Sequence, residues 1–472
     1  MKEAATPCPQ CQILQQQLQA LQQQVQDLQT TLAKLQTQLA AKNKNSSTSS
    51  KPPSSDLLKP PGAGGDAAQR SQGGQPGHPP HQRALFPPEA LTGGCHSHQL
   101  HACPCCGHAL LPGGLVPRVV QQIEILDLPL RIEEHQALAG WCPQCQQMHH
   151  APLPAIIDQG GLVGPRLTAV IAFLKGVCHA SFSTIRKFLR DVVGVAISRG
   201  QLSKIIGKVS AALDEPYEAL LRQLPREDVL NVDETGHKDN GQRWWTWCFR
   251  ASLFTLFKID PTRSGDVLLQ TLGEEFDGVL GCDYFSAYRR YMRECNVLVQ
   301  FCLAHLIREV RFLTTLPDRA ERAYGECVLA AFKELFGVIH RREQLSSKEF
   351  EWSLEAARQR VLRSGSEAAP PGKHSQNLAE RFRRHGESYF RFLTTPGLEP
   401  TNNVAEQAIR FVVIDRHITQ GTRSEGGRRW CERIWTVIAT CTQQGRSVFE
   451  YLCQAVTAHF RGESVPSLLG NQ

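Results

Sequence analysis

From Leu14 onward the apolar residues fall at Leu14, Leu18, Leu21, Val25, Leu28, Leu32, Leu35 and Leu39, alternately four and three apart. This is an unbroken heptad seam, the spacing of a coiled coil about 40 Å long. Its flanking positions are mostly glutamine (Gln15, Gln17, Gln22, Gln24, Gln29, Gln36 and Gln38), so no charge pattern selects a foreign partner and self-association is expected. The alternative is a single amphipathic helix folded against its own domain. The coiled coil is assigned to residues 1–41. Residues 42–90 are rich in Ser, Pro and Gly with almost no apolar periodicity, and read as a disordered linker.

In residues 91–152 a strand-like alternation from Val119 to Trp141 is bracketed by Cys103 and Cys106 on one side and Cys142 and Cys145 on the other. Two Cys-x-x-Cys pairs around a short sheet suit a tetrahedral Zn²⁺ site, so a zinc-binding ribbon is expected. Cys105, His98, His101 and His108 are possible substitute ligands. Cys8 and Cys11 form a third pair with no partner pair nearby and are expected to be free thiols.

Residues 160–225 turn helical. PRLTAVIAFLKGV and SFSTIRKFLRDVV are followed by a break at Gly194 to Ser198, then by RGQLSKIIGKVSAAL. A glycine-containing turn and a Ser N-cap fit a helix-turn-helix whose second helix enters a major groove, and equally fit an ordinary helical hairpin. Arg199, Gln201, Ser203, Lys204 and Lys208 would form the polar, DNA-facing side.

Beyond residue 227 the pattern predicts an α/β domain. Three strand-like runs (DVLNVDET, RWWTWCFRA, LFTLFKID) precede helix, strand, helix, strand and helix, which describes a mixed sheet covered by helices. The crossover makes the fourth strand parallel to one of the first three. If that neighbour is the first, Asp233 and Asp283 come together, and a hard divalent cation can offset their repulsion. Asp after a strand is common, so the pair alone says little. EPTNNVAEQAIR offers a third carboxylate in Glu406, near a helix start that Asn402 or Asn403 can cap, with Arg410 one turn further on for a phosphate.

The formal net charge of +7 is mild for 472 residues, so the clustering of arginines matters more than the total. Arg416, Arg423, Arg428, Arg429, Arg433 and Arg446 follow Arg410 with few acids between them, as a DNA-facing surface or a solvated helix face. No apolar run is long enough to span a membrane and no secretory core opens the chain, so an intracellular protein with thiol or metal-bound cysteines is expected.

Four pieces in order, VDETG (232–236), GCDYFSAY (281–288), CLAHLIREV (302–310) and TNNVAEQAIR (401–410), together with SSKPPSSD (49–56), carry a resemblance. In them the chain resembles the insertion-sequence-66 family of bacterial transposases over nearly its whole length. The resemblance implies a multidomain protein: coiled coil, zinc ribbon, helix-turn-helix-like region, and an RNase H-like catalytic domain with a helical insertion. The core would occupy residues 227–318 and 396–460, with the insertion at 319–395. Asp233, Asp283 and Glu406 map onto the family's catalytic triad and would hold two Mg²⁺ (or Mn²⁺) ions for DNA strand cleavage and transfer. Cys302 and His305 look like a Cys-x-x-His signature with a structural role. Gln407 departs from the family where a basic residue often follows the Glu, and HITQGTRSEGGRRW is not a close copy of the usual C-terminal pattern. The implied partners are double-stranded DNA, as inverted-repeat ends and target, further copies of the chain, and accessory proteins of the same element, with no membrane. The implied setting is the bacterial cytoplasm, at the nucleoid. A nuclease or resolvase on the same fold would share the triad but need not carry the N-terminal modules. A repressor would leave the triad without a role.

Overall fold

The computed structural model describes residues 9–44, 48, 85–90, 105, 130–142, 144 and 146–469. The chain divides into two units, residues 58–134 and the remainder. Of the smaller unit, Pro88–Ala90 is a short 3-10 turn and residues 130–134 belong to no helix or strand.

In the larger unit, α1 (Pro9–Lys42) extends the heptad seam at both ends, and all eight seam residues from Leu14 to Leu39 are exposed. Strands β1 (Ala139–Cys142) and β2 (Gln147–His150) form an antiparallel hairpin with Cys142 opposite Gln147. Of the stretch from Val119 to Trp141 expected to alternate like strands, residues 119–129 lie outside the described residues, residues 130–138 carry no strand, and β1 takes up its last residues. Cys8, Cys103, Cys106 and Cys145 lie outside the described residues.

Five helices follow: α2 (Ala155–Gly160), α3 (Pro165–Gly176), α4 (Phe182–Phe188), α5 (Arg199–Ala212) and α6 (Asp214–Gln223). After α4 a π-turn (Leu189–Val193) ends at Gly194 with φ 80°, and Ser198 caps α5 by accepting the Gln201 N–H at 3.1 Å. The glycine turn and the Ser cap of the sequence reading are both present. Leu202, Ile205, Ile206 and Val209, at helical spacing, bury one face of α5.

The sheet begins with an antiparallel meander, β3 (Val229–Asp239), β4 (Gln242–Arg250) and β5 (Thr255–Asp260). Asn240 and Gly241 link the first two with φ 48° and 78°, the left-handed pair that a type I′ hairpin requires. Then come α7 (Asp266–Leu272), β6 (Val279–Cys282), α8 (Ser286–Cys295), β7 (Leu298–Phe301) and α9 (Leu303–Leu313). β6 joins β3 in parallel and β7 joins β6, giving the order β5-β4-β3-β6-β7. All four residues of β6 are buried, as a central parallel strand demands.

Helices α10 (Arg319–His340), α11 (Ser347–Ser366) and α12 (Lys373–His385) are followed by two 3-10 turns ending at Leu393. The chain returns through α13 (Asn403–Thr419), α14 (Glu425–Gln443) and α15 (Val448–Arg461). α14 covers the open edge of β5. Glu432, Thr436 and Thr440, four residues apart, accept the N–H groups of Ile259 (2.7 Å), Phe257 (3.0 Å) and Thr255 (3.1 Å), two residues apart. One helical turn thus matches two strand residues, and the edge donors are satisfied. α14 and α15 also pack on α3 and α5, so the helical region shares a core with the sheet domain. Among the described residues no helix is long and apolar enough to cross a membrane.

Candidate active site

Asn231 of β3 stands opposite Gly281 of β6, so Asp233 and Asp283, each two residues further on, are level with each other. The first strand is the neighbour of the fourth, the condition under which the two carboxylates approach. A Cβ at Gly281 would lie 2.5 Å from the Asn231 amide nitrogen, and its absence gives that amide room to reach Asn402.

Asn402 positions the third carboxylate. Asn231 Nδ2 donates to Asn402 Oδ1 at 3.0 Å, Asn402 Nδ2 donates to the Val232 carbonyl at 2.8 Å, and the Asn402 N–H donates to Cys302 Sγ at 3.2 Å. Asn402 occupies the N-cap of α13, but its side chain makes no capping bond there. The cap expected from the sequence is instead a clamp, because the buried Asn231 amide and Val232 carbonyl need partners that water cannot supply. One turn into α13, Glu406 then lies over the β3 face that carries Asn231, Asp233, Thr235 and His237. Further along, Arg416 Nη1 donates to Thr235 Oγ1 at 3.0 Å and to the Gly236 carbonyl, while Thr422 bridges His237 (3.0 Å) and Asp239 (2.7 Å).

Asp233, Asp283 and Glu406 each keep part of their surface open. Burial, and then the charges of Glu234, Asp283 and Glu406, push the Asp233 carboxyl well above the usual carboxylate range. The main opposing influence is one hydrogen bond, from the Glu234 N–H at 2.9 Å, and no basic side chain is among the leading influences. Asp283 Oδ1 accepts the Phe285 N–H at 2.8 Å, which fixes the turn into α8. The charges of Asp283 and Glu406 both reach Asp233 with no basic side chain among the leading influences, a repulsion that a hard cation would offset, but among the described residues the ligand atoms of Glu406 come within 4.8 Å of those of Cys302 and His305 rather than of both aspartates.

Cys302 and His305 adjoin this group. His305 Nε2 is 3.5 Å from Glu406 Oε1, an approach too long for a formed hydrogen bond, and both Glu406 Oε1 and His305 Nδ1 are buried without a hydrogen-bond partner. Burial raises the Cys302 thiol pKa, but the His305 imidazole outweighs it and the thiol ends below its ordinary value. Burial likewise lowers the His305 pKa, but Cys302, Glu406 and Asp283 raise it above the usual histidine value.

Glu234 points to the opposite face of the sheet. Its side chain is fully buried, accepts two bonds from Arg263, one of them at 2.7 Å, and accepts the Tyr288 hydroxyl. Burial, followed by the Asp283 charge, raises it to about 7 against the pull of Arg263 and Tyr288. Sequence reasoning missed this trio. The acid was visible in VDETG, but Arg263 sits past β5 and nothing local couples the two.

The basic residues divide into two groups. Arg410 and Arg423 are exposed and make no ion pair among the described residues, and Arg429 is exposed beside Glu425 at 3.8 Å. Arg199 and Lys204 are exposed on α5, with Arg199 bonded to Ser183 Oγ at 2.6 Å, and Gln201 is half-buried. Lys208, Arg416 and Arg428 are committed to the fold. Lys208 donates to the Gln159 and Gly160 carbonyls, Arg416 is bonded to β3, and Arg428 pairs with Asp239 and covers Trp244 at 4.4 Å.

Comparison with known proteins adds the following. A family model described as a family of unknown function matches residues 4–84. Two uncharacterized proteins of Sinorhizobium fredii (strain NBRC 101917 / NGR234) are similar in sequence. Protein y4qI is 23% identical over 342 residues, covering 66% of this chain and 62% of its own length. Protein y4hP is 24% identical over 382 residues, covering 72% of this chain and 67% of its own length. The HTLV-2 integrase catalytic core domain, solved in complex with magnesium, matches 33% of this chain and 96% of its own at 10% identity, with a TM-score of 0.14. The model of the Transposase IS66 family matches residues 160–429, from the helical region through the sheet, the insertion and the helix bearing Glu406. The chain belongs to the Transposase IS66 family.

Proposed function

We propose that this protein is a DNA transposase that binds insertion-element ends and carries out Mg²⁺-dependent strand cleavage and strand transfer with Asp233, Asp283 and Glu406. The observation that carries the reading is the family match together with the register that sets Asp233 beside Asp283, where like charges, and no basic side chain, are among the leading influences. These three residues would hold the Mg²⁺ or Mn²⁺ ions. When bound, such ions activate water or a DNA 3′-hydroxyl and stabilise the leaving oxygen. The chain's own part is preorganisation: β3 and β6 hold the two aspartates level, and the Asn402 clamp sets the start of the Glu406 helix. Arg410, Arg423 and Arg429 offer positive charge to phosphates, and Arg199, Gln201 and Lys204 offer donors to a duplex. Lys208, Arg416 and Arg428 contribute to the fold first and to DNA only through their remaining donors.

Asp233→Asn, Asp283→Asn and Glu406→Gln should each lower Mg²⁺-supported nicking of end DNA by about 10³-fold or more, on the order of 4 kcal/mol, with DNA binding in a mobility-shift assay retained. Near-normal nicking by any one of them removes that residue from the triad. Two accessory readings belong to the proposal: the exposed seam of α1 pairs copies of the chain, and Cys103, Cys106, Cys142 and Cys145 hold Zn²⁺. Light scattering should report a lower mass without residues 1–41, and about one Zn²⁺ per chain should be lost on changing Cys103 and Cys106 to Ser. Unchanged mass or unchanged zinc defeats the corresponding reading. Companion proteins of the same element complete the proposed set of partners.

A further inference from the structure

We propose that Cys302, His305 and Glu406 form a binding site for a thiophilic divalent cation of the Zn²⁺ class, separate from the hard-ion position at the aspartates but sharing Glu406 with it. The sulfur, a ring nitrogen and a carboxylate oxygen lie within 4.8 Å of one another. Tetrahedral zinc, with bonds of about 2.3 Å to sulfur and about 2.0–2.2 Å to nitrogen and oxygen, spaces its ligand atoms about 3.4 Å apart. The 3.5 Å between His305 Nε2 and Glu406 Oε1 already has that spacing, whereas a direct hydrogen bond would be shorter.

The frame is hydrogen-bonded. Cys302 lies between β7 and α9, where its N–H donates to the Cys282 carbonyl at 2.8 Å and its sulfur accepts the Asn402 N–H at 3.2 Å. His305 follows three residues later, on the same face of α9. Cys302 is 2% exposed, and Glu406 Oε1 and His305 Nδ1 are buried polar atoms that the fold leaves without partners. Mg²⁺ prefers an all-oxygen shell, so a mixed sulfur, nitrogen and oxygen set selects a softer ion, and binding releases the thiol proton to solvent. A fourth position remains for water. Resting on the transposase reading, one consequence follows: an ion held here withdraws Glu406 from the aspartates and slows cleavage.

The test titrates metal-free, full-length protein with Co²⁺, without DNA or Mg²⁺. Wild type should bind one more Co²⁺ per chain than Cys302→Ser, with a thiolate-to-cobalt charge-transfer band in the difference spectrum. His305→Gln and Glu406→Gln should each weaken that additional binding about tenfold or more, and circular dichroism reports whether each variant is folded. Any cobalt held by the N-terminal cysteines is common to all of them and cancels. Identical stoichiometry and spectra for folded wild type and Cys302→Ser overturn the site, whatever the protein does to DNA. In Mg²⁺-supported nicking, added Zn²⁺ should slow wild type about tenfold and leave the ratio of rates with and without Zn²⁺ near one for Cys302→Ser. Equal slowing of both overturns the sharing of Glu406.

Discussion

Two successive acids on β3 differ in everything except their chemistry. Asp233 faces α13, and burial followed by the charges of Glu234, Asp283 and Glu406 raises its carboxyl, with no basic side chain among the leading influences. Glu234 faces the other way and meets Arg263 and Tyr288, so its oxygens have partners within the fold, although burial and the Asp283 charge still raise it to about 7. An acid bonded to partners within the fold reads as structural, and one crowded chiefly by like charges reads as a candidate for an outside ligand. Adjacent positions reach such different surroundings because side chains alternate across a sheet.

The largest effect should come from taking away the partner of the satisfied acid. Arg263→Ala strands Glu234 in a buried site and should destabilise the protein by about 4 kcal/mol, read by urea denaturation at pH 8. A loss below about 1 kcal/mol would show that Glu234 does not depend on its partner.

Next in size is a pH dependence. Glu234 is raised from 4.5 in the unfolded chain to about 7 in the folded one, so the folded state holds the proton more tightly between those values. Its contribution is greatest at and below pH 4.5 and falls by about 3 kcal/mol as the pH rises to about 7. His237 acts in the opposite sense. Burial lowers it to about 4, so stability rises with pH between about 4 and 6.5. Subtracting the stability curve of Glu234→Gln from that of wild type cancels His237, and the difference should slope downward from pH 5 to 7 and then flatten. A flat difference would place Glu234 in the charged state throughout.

The smallest effect belongs to the unsatisfied acid. Metal-free Asp233→Asn should match wild type in stability or exceed it by about 1 kcal/mol, because an amide oxygen still accepts the Glu234 N–H while the repulsion disappears. A loss as large as that of Arg263→Ala would erase the contrast between the two faces.

Much of the sheet was legible because its signals are local. Runs of β-branched and aromatic residues mark the meander, although the turn read over GHKDNGQ (236–242) is shorter, since β3 runs on to Asp239 and only Asn240 and Gly241 turn the chain, and the alternation of helix and strand after Asp260 marks the crossovers. Which strand β6 would join was not local, and the pattern left it as a condition that the pairing of Val229 with Val279 fulfils. Glu406 could be offered as the third carboxylate from EPTNNVAEQAIR, and the motif resemblance then mapped it onto the triad. What positions it could not be read at all: Asn231 and Asn402 are 171 residues apart, and neither sequence context hints at the other. The same holds for Glu234 and Arg263, 29 residues apart with two strands between. The polar side of α5 and the arginines after Glu406 were visible as charges, but not which of them the fold would use for itself.

The clamp at Asn402 also bears on how such a chain can change length. Cys302 and Asn402, 100 positions apart, are held together by the Asn402 N–H to sulfur bond, and the Leu303 N–H to Pro400 carbonyl bond of 2.9 Å lies beside it, so the residues between them form a detour with a pinned root. Closing a flexible loop costs only about 0.6 kcal/mol more for each doubling of its length. Lineages can therefore lengthen, trim or exchange the three-helix excursion while Glu406 stays in register with the aspartates. For the same reason, its outer turns are where a reporter or a foreign domain can be grafted with least disturbance to the chemistry beneath.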